Sequence, residues 1–211
     1  MKVLDQNSLK YLTIGPNDDS WGLATTTIGT QLIKPNACYP AMQHPATYNF
    51  KAQTGRVLDE YQIIYIAEGG GFFESQSIER QRIESGTVLL LFPGEQHHYY
   101  PDKQLGWREF WIGFKGEVMD HRTSAGFFSP KEAIIKIGLS NTLISLYRDA
   151  IRVAEKEKIG CQQLLAGIEP ILGGFTPHDH RHQLHILPEG RCRQAIPGLG
   201  GEAGFQPRCP L

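Results

Sequence analysis

The segment Tyr61-Gln-Ile-Ile-Tyr-Ile-Ala-Glu-Gly-Gly-Gly-Phe72-Phe-Glu74 decides the fold class. Its first seven residues are β-branched or aromatic except at Gln62 and Ala67, which suits a pleated, half-buried surface. Three glycines follow and then a second aromatic run, so the stretch predicts a hairpin whose turn takes its positive φ from glycine. Runs of the same kind recur on both sides, at Trp21–Ile28, Thr87–Phe92 and Trp107–Phe114. Turn formers separate them: Gly29, Lys34-Pro35-Asn36, Gly55, Ser85-Gly86, Pro93-Gly94 and Pro101-Asp102. No helical stretch intervenes, so the expected fold is mainly β, an antiparallel sandwich or barrel over about residues 20 to 116.

Composition narrows the function. The 211 residues are 40% hydrophobic and 20% charged, a globular balance. Lys plus Arg (21) and Asp plus Glu (22) nearly cancel, to a net charge of −1. Phosphate neutralisation supplies most nucleic-acid affinity, so this chain is not expected to bind DNA alone. The longest uncharged apolar run, Thr87 to Pro93, is far short of the roughly 20 residues that cross a bilayer. The start, Met1-Lys2-Val3-Leu4-Asp5, has no apolar signal region, so a cytoplasmic protein without membrane partners is expected. Cys38, Cys161, Cys192 and Cys209 show no short pairing motif and read as plain thiols.

After Pro130 the hydrophobic period changes. Ser140 is placed to cap a helix running to about residue 157, with Leu143, Leu146, Tyr147, Ala150, Ile151 and Ala154 on one face. That stripe could pack on the barrel or meet a second copy. Cys161–Ile168 could begin a second helix. From Glu169 both periods vanish, and 13 of the last 43 residues are Gly or Pro. The chain therefore divides into a barrel with an N-terminal arm (1–128), a helical segment (129–168) and an irregular tail (169–211). A frameshift or truncation near Ile168 would account for the break. His178, His180, His182 and His185 crowd into that tail, where alternating histidines chelate metals adventitiously in the absence of a scaffold.

Four segments together carry a resemblance. They are Tyr39-Pro-Ala-Met-Gln-His-Pro45, Gly55-Arg-Val-Leu-Asp-Glu-Tyr-Gln-Ile-Ile-Tyr-Ile-Ala-Glu-Gly69, Gly86-Thr-Val-Leu-Leu-Leu-Phe-Pro-Gly-Glu-Gln-His-His-Tyr99 and Gly106-Trp-Arg-Glu-Phe-Trp-Ile-Gly-Phe-Lys-Gly116. In this order they resemble the N-terminal effector-binding domain of AraC-type bacterial transcription regulators, a cupin-like jelly-roll barrel followed by one or two helices. The resemblance implies effector sensing and dimerisation, not catalysis, and no cofactor. It also implies a C-terminal domain with two helix-turn-helix motifs, for which the 43 residues after Ile168 offer no basic recognition helix.

Along Trp107–Phe114, one face carries Trp107, Glu109, Trp111 and Gly113, and the other carries Arg108, Phe110, Ile112 and Phe114. The first suits a polar ring, with its C–H face on indole and its hydroxyls toward Glu109; the second reads as core. The resemblance adds Trp111 as the stacking indole, Tyr99 after the His-His pair, and Arg56 as the nearest candidate for an arginine before the hairpin. Each also has a purely structural reading. His97 and His98 must face opposite sides, and His97 is expected inward beside Tyr99. The effector implied is a sugar, polyol or sugar acid. The implied partner is a second copy, held through Leu143, Leu146, Tyr147, Ile151 and Ala154.

A second class of function is a metal-dependent cupin enzyme acting on a small polar substrate. Gly86, Gly94 and His97 keep the offsets of half of such a signature. The other half needs two histidines near the 61–80 segment, which has none; His44 would have to move inward. A third class is a dimerising scaffold with a filled interior.

Overall fold

Strand β3, Tyr61–Ser75, runs unbroken through the three glycines, so the expected hairpin is not formed. The first part of β3 pairs antiparallel with β5 (Thr87–Leu91) and β7 (Trp107–Lys115). The last part, from Gly70 or Gly71, pairs instead with β4 (Gln81–Glu84) and β6 (His97–Pro101). The glycines thus transfer one strand between two sets of partners. Register slips between Ile66 and Glu68, and Gly69 has φ +73. A Cβ at Gly69 would collide with the Gly106 carbonyl, and one at Gly71 would strike Tyr100 and Trp107. Glycine content alone reads as a turn; here it lets a strand bend while neighbouring backbones close in.

The remaining order is β1 (Ser8–Tyr11) beside β2 (Ala24–Ile33), then β7, β3, β5 and β8 (Ile134–Lys136). All pairings between these strands are antiparallel. The computed structural model describes residues 7–39 and 55–174, which belong to one compact unit. The mainly antiparallel, barrel-type expectation holds, with differences in extent. Trp21 is exposed in the turn before β2, and Gly29 lies inside β2 instead of ending it. Strands β1 and β8 lie outside the 20–116 range, so the segment expected to be helical from residue 129 opens with a 3-10 turn, Pro130–Glu132, followed by a strand.

Helices α1 (Pro16–Asp19) and α2 (Glu117–Ser124) precede the two that matter most here. Helix α3, Asn141–Lys156, starts where Ser140 accepts a hydrogen bond from the Leu143 amide at 3.2 Å. Helix α4, Cys161–Gly174, passes the compositional break at Glu169 and ends at the Gly173-Gly174 pair. Among the described residues no helix is long and apolar enough to cross a membrane. Cys38 is exposed, and Cys161 is a buried free thiol. The frameshift reading, the 178–185 histidines, Cys192 and Cys209 concern positions outside the described residues, as does His44.

Helix α3 turns its apolar stripe inward. Leu143, Tyr147, Ala150, Ile151 and Ala154 are all buried within this one chain, and Leu146 is half-buried. The Tyr147 ring lies 5.7 Å from Phe110 of β7, and its hydroxyl donates to the Ile63 carbonyl at 2.9 Å. The Tyr65 hydroxyl donates to the Gly138 carbonyl and accepts from the Ser140 amide, tying β3 to the helix start. Leu143, Tyr147, Ile151 and Ala154 are thus buried within this chain, with Tyr147 seated on the sheet. The sheet face formed by Phe110, Ile112, Tyr65 and Ile63 is apolar and buried, and α4 packs beside α3 as well. From α4, the Gln162 side-chain amide bonds both backbone groups of Thr25, at 2.8 and 3.0 Å, beside the β2 irregularity between Thr25 and Thr27.

Candidate effector-binding site

Register settles which side chains share the face opposite the helices. Across β2, β7 and β3, Thr27, Gly113 and Gln62 stand in one row. Gly29, Trp111 and Ile64 form the next, and Gln31, Glu109 and Ile66 the third. This is the Trp107-Glu109-Trp111-Gly113 face expected to meet a ligand. On the opposite face Phe110, Ile112 and Phe114, expected to be plain core, are buried, Phe110 against Tyr147 of α3 and Phe114 against Tyr61, while Arg108 is paired with the Glu68 carboxylate at 3.0 Å.

From β6, His97 and Tyr99 point to the same interior, their rings stacked at 6.2 Å. His98 and Tyr100 take the other face, where His98 meets Glu74 at 3.0 Å. Arg56 bridges backbone to backbone with His97, which brings its side chain to the same place. Its Nε donates to His97 Nε2 at 3.3 Å, and its Nη2 donates to the Tyr99 hydroxyl at 2.9 Å and to Gln62 Oε1 at 3.5 Å. Gln62 in turn donates to Glu60 Oε1 at 2.7 Å. Since Arg56 is a donor only, Nε2 of His97 accepts, and the ring proton sits on Nδ1, 3.0 Å from the Glu95 carbonyl. Burial first, and then the Arg56 charge, lower the His97 pKa to about 3, so the imidazole is neutral.

Burial has the opposite effect on the acids. Glu109 is 4% exposed, and its pKa rises to about 8 against a smaller opposing pull from Arg56. The Tyr99 phenol is pushed up to about 12 by burial, and that of Tyr39 is raised well above its usual value. Tyr39 closes an aromatic corner, with its ring 5.7 Å from Trp107 and 6.4 Å from Tyr99.

Polar satisfaction is incomplete on this face. Among the described residues, Glu109 Oε2, Gln31 Nε2 and Trp107 Nε1 are buried without hydrogen-bond partners. Unmade buried hydrogen bonds are costly, so a row of them on one surface points to bonds kept for something else. Arg56, His97, Tyr99, Glu109 and Trp111 thus share one surface, with Arg56, His97 and Tyr99 directly bonded or stacked. Sequence reading missed Gln31, Gln62, Glu60 and Tyr39. For Gln31, the polar interruption of an apolar strand was the available signal.

Among the described residues no three His, Cys, Asp or Glu side chains cluster as ligands. The one well-placed imidazole, His97, offers its free lone pair to a guanidinium, which stands where a cation would have to be.

An antiparallel barrel with aromatics and unpartnered polar atoms on its inner face is of the ligand-binding kind. Residues 39–161, more than half of the chain, match the family model of the AraC-like ligand binding domain, and the chain belongs to that family. The raffinose operon transcriptional regulatory protein RafR of Pediococcus pentosaceus is 31% identical over 70 residues, covering 33% of this chain and 25% of that protein. The MmsAB operon regulatory protein of Pseudomonas aeruginosa is 36% identical over 62 residues, covering 28% of this chain and 20% of that protein. The matches thus span a quarter or less of these curated relatives. Among solved structures, ToxT from Vibrio cholerae O395, bound to (E)-4-(8-methylnaphthalen-1-yl)but-3-enoic acid, aligns with a TM-score of 0.42 at 10% identity, over 73% of this chain and 56% of that one. YhaK from Escherichia coli also aligns with a TM-score of 0.42, at 12% identity, over 65% and 52%.

Proposed function

We propose that this chain is the effector-sensing domain of a cytoplasmic transcription regulator and that its barrel interior takes a sugar. The observation that carries the reading is the inner face itself: the Trp111 indole beside Glu109 and Gln31, whose buried polar atoms lack partners. An apolar ring face with hydroxyls at its rim is the chemistry such a surface satisfies. The family match supports effector binding, and the raffinose operon regulator among the relatives supports a sugar. DNA binding is assigned to the larger regulator and not to this chain, whose net charge is −1. Association into a homodimer is part of the reading, through surfaces other than the buried α3 stripe. The Arg56–His97 contact favours this binding role over metal-dependent catalysis.

Titration of the purified chain with D-galactose, melibiose, raffinose and L-arabinose, followed by calorimetry and tryptophan fluorescence, tests it. Saturable binding of at least one sugar, abolished in Trp111→Ala, is expected. No heat and no fluorescence change with any of the four at millimolar concentration overturns the sugar assignment.

A further inference from the structure

Gln31 and Glu109 face each other directly across the β2–β7 ladder and point to the same interior. They are 2% and 4% exposed. Among the described residues, Gln31 Nε2 and Glu109 Oε2 each lack a hydrogen-bond partner. Directly opposed side chains have Cβ atoms about 4.5–5.5 Å apart, so one functional group, or two on adjacent carbons, can reach both. Two unmet groups of opposite hydrogen-bonding sense on one rung would satisfy each other if the fold required only stability. They do not.

We infer that Gln31 and Glu109 form a two-residue clamp that reads one edge of the effector and selects an uncharged, hydroxyl-bearing ligand over a carboxylate-bearing one. The inference rests on the effector-site reading above and narrows its ligand class. A hydroxyl donates one hydrogen bond and accepts others, so a single hydroxyl or a vicinal pair can donate to Glu109 Oε2 while accepting from Gln31 Nε2. Trp107 Nε1, on the same face, is a second unmet donor for the same rim. A ligand carboxylate would be buried on this face with no cation among the described residues free to pair with it. The guanidinium within reach, Arg56, is already directed at His97, Tyr99 and Gln62. An ionised group taken out of water without a partner is costly, and that is the basis of rejection.

The test has two independent arms. In the first, D-galactose, D-galactosamine and D-galacturonate share one ring and differ in charge. Galactose should bind at least about tenfold tighter than galacturonate, and Gln31→Met or Glu109→Met should weaken galactose about tenfold, the worth of one good hydrogen bond to a buried partner. In the second, the ligand-free variants are melted. Removing an unmet buried polar atom at similar volume should raise Tm by about 2–4 °C, whereas removing a structural one lowers it. Galacturonate binding as tightly as galactose, or a fall of Tm in both variants, overturns the clamp. A rise of Tm with no binding by any of the three sugars upholds the polar pair and overturns the sugar reading instead, so the two failures are told apart.

Discussion

The benzo edge of Trp111 reaches over Gly29 on the neighbouring strand, so that a Cβ built at Gly29 would sit 2.5 Å from the ring. No real side chain tolerates that approach, and a β1 carbonyl, that of Ser8, closes the same space. The indole position is therefore set by the absence of a side chain on β2. Gly113, two residues along β7, leaves comparable room beside Glu60 and Thr27.

Gly29→Ala should displace the indole and cost about 1–3 kcal/mol through overpacking. The expected outcome is a lower denaturation midpoint, a shifted tryptophan emission maximum and weakened effector binding. An unchanged emission spectrum with full binding would show that the indole does not depend on Gly29.

The stability of the chain should pass through a broad optimum between about pH 4.5 and 6.5. Glu109 keeps its proton up to about pH 8 when folded, against 4.5 for the free side chain, so stability falls as pH rises across that window. His97 stays neutral down to about pH 3 when folded, against 6.5, so stability falls as pH drops from 6.5. Each group contributes at most about 1.4 kcal/mol per pH unit, and the two cancel where their windows overlap. Urea denaturation from pH 3.5 to 8.5 reads the profile. Glu109→Gln should flatten the alkaline limb alone and His97→Gln the acid limb alone.

Arg56→Met should raise the His97 pKa, because one of the two main influences that lower it is the guanidinium. Burial remains, so the value should stay below 6.5. The Tyr99 phenol should move upward as well, since Arg56 opposes its burial. Proton NMR titration of the histidine ring and ultraviolet titration of the phenol measure both. A His97 pKa that does not move would mean that burial acts without the guanidinium.

Leu143→Ala should destabilise the chain by about 2–5 kcal/mol at any protein concentration, as the loss of a core side chain does. Leu146→Asp, at the half-buried position, should leave the sedimentation behaviour unchanged, because the stripe it borders is closed within the chain. Conversion of a dimer to a monomer by Leu146→Asp, with the fold intact by circular dichroism, would return this helix to the interface.

Much of the architecture was legible in residues 61–114. Alternation and turn spacing are local properties, and they determined an antiparallel β fold, the two faces of Trp107–Phe114, the inward turn of His97 with Tyr99, and the Ser140 cap. What local pattern could not carry was the meaning of glycine and of an amphipathic stripe. Gly69-Gly70-Gly71 has the composition of a turn, yet the carbonyls of Gly106 and Tyr100 make it a bend in a continuing strand. Gly29 likewise reads as a turn and is the bed of an indole on another strand. The α3 stripe fits a partner helix and a sheet equally well, and only the tertiary structure shows it buried within the chain, with Tyr147 against Phe110. The same limit applies to the site. Sequence supplied Arg56, His97, Tyr99, Glu109 and Trp111 one at a time, whereas Gln31 emerged only from register, because two residues 78 positions apart become neighbours solely through strand pairing.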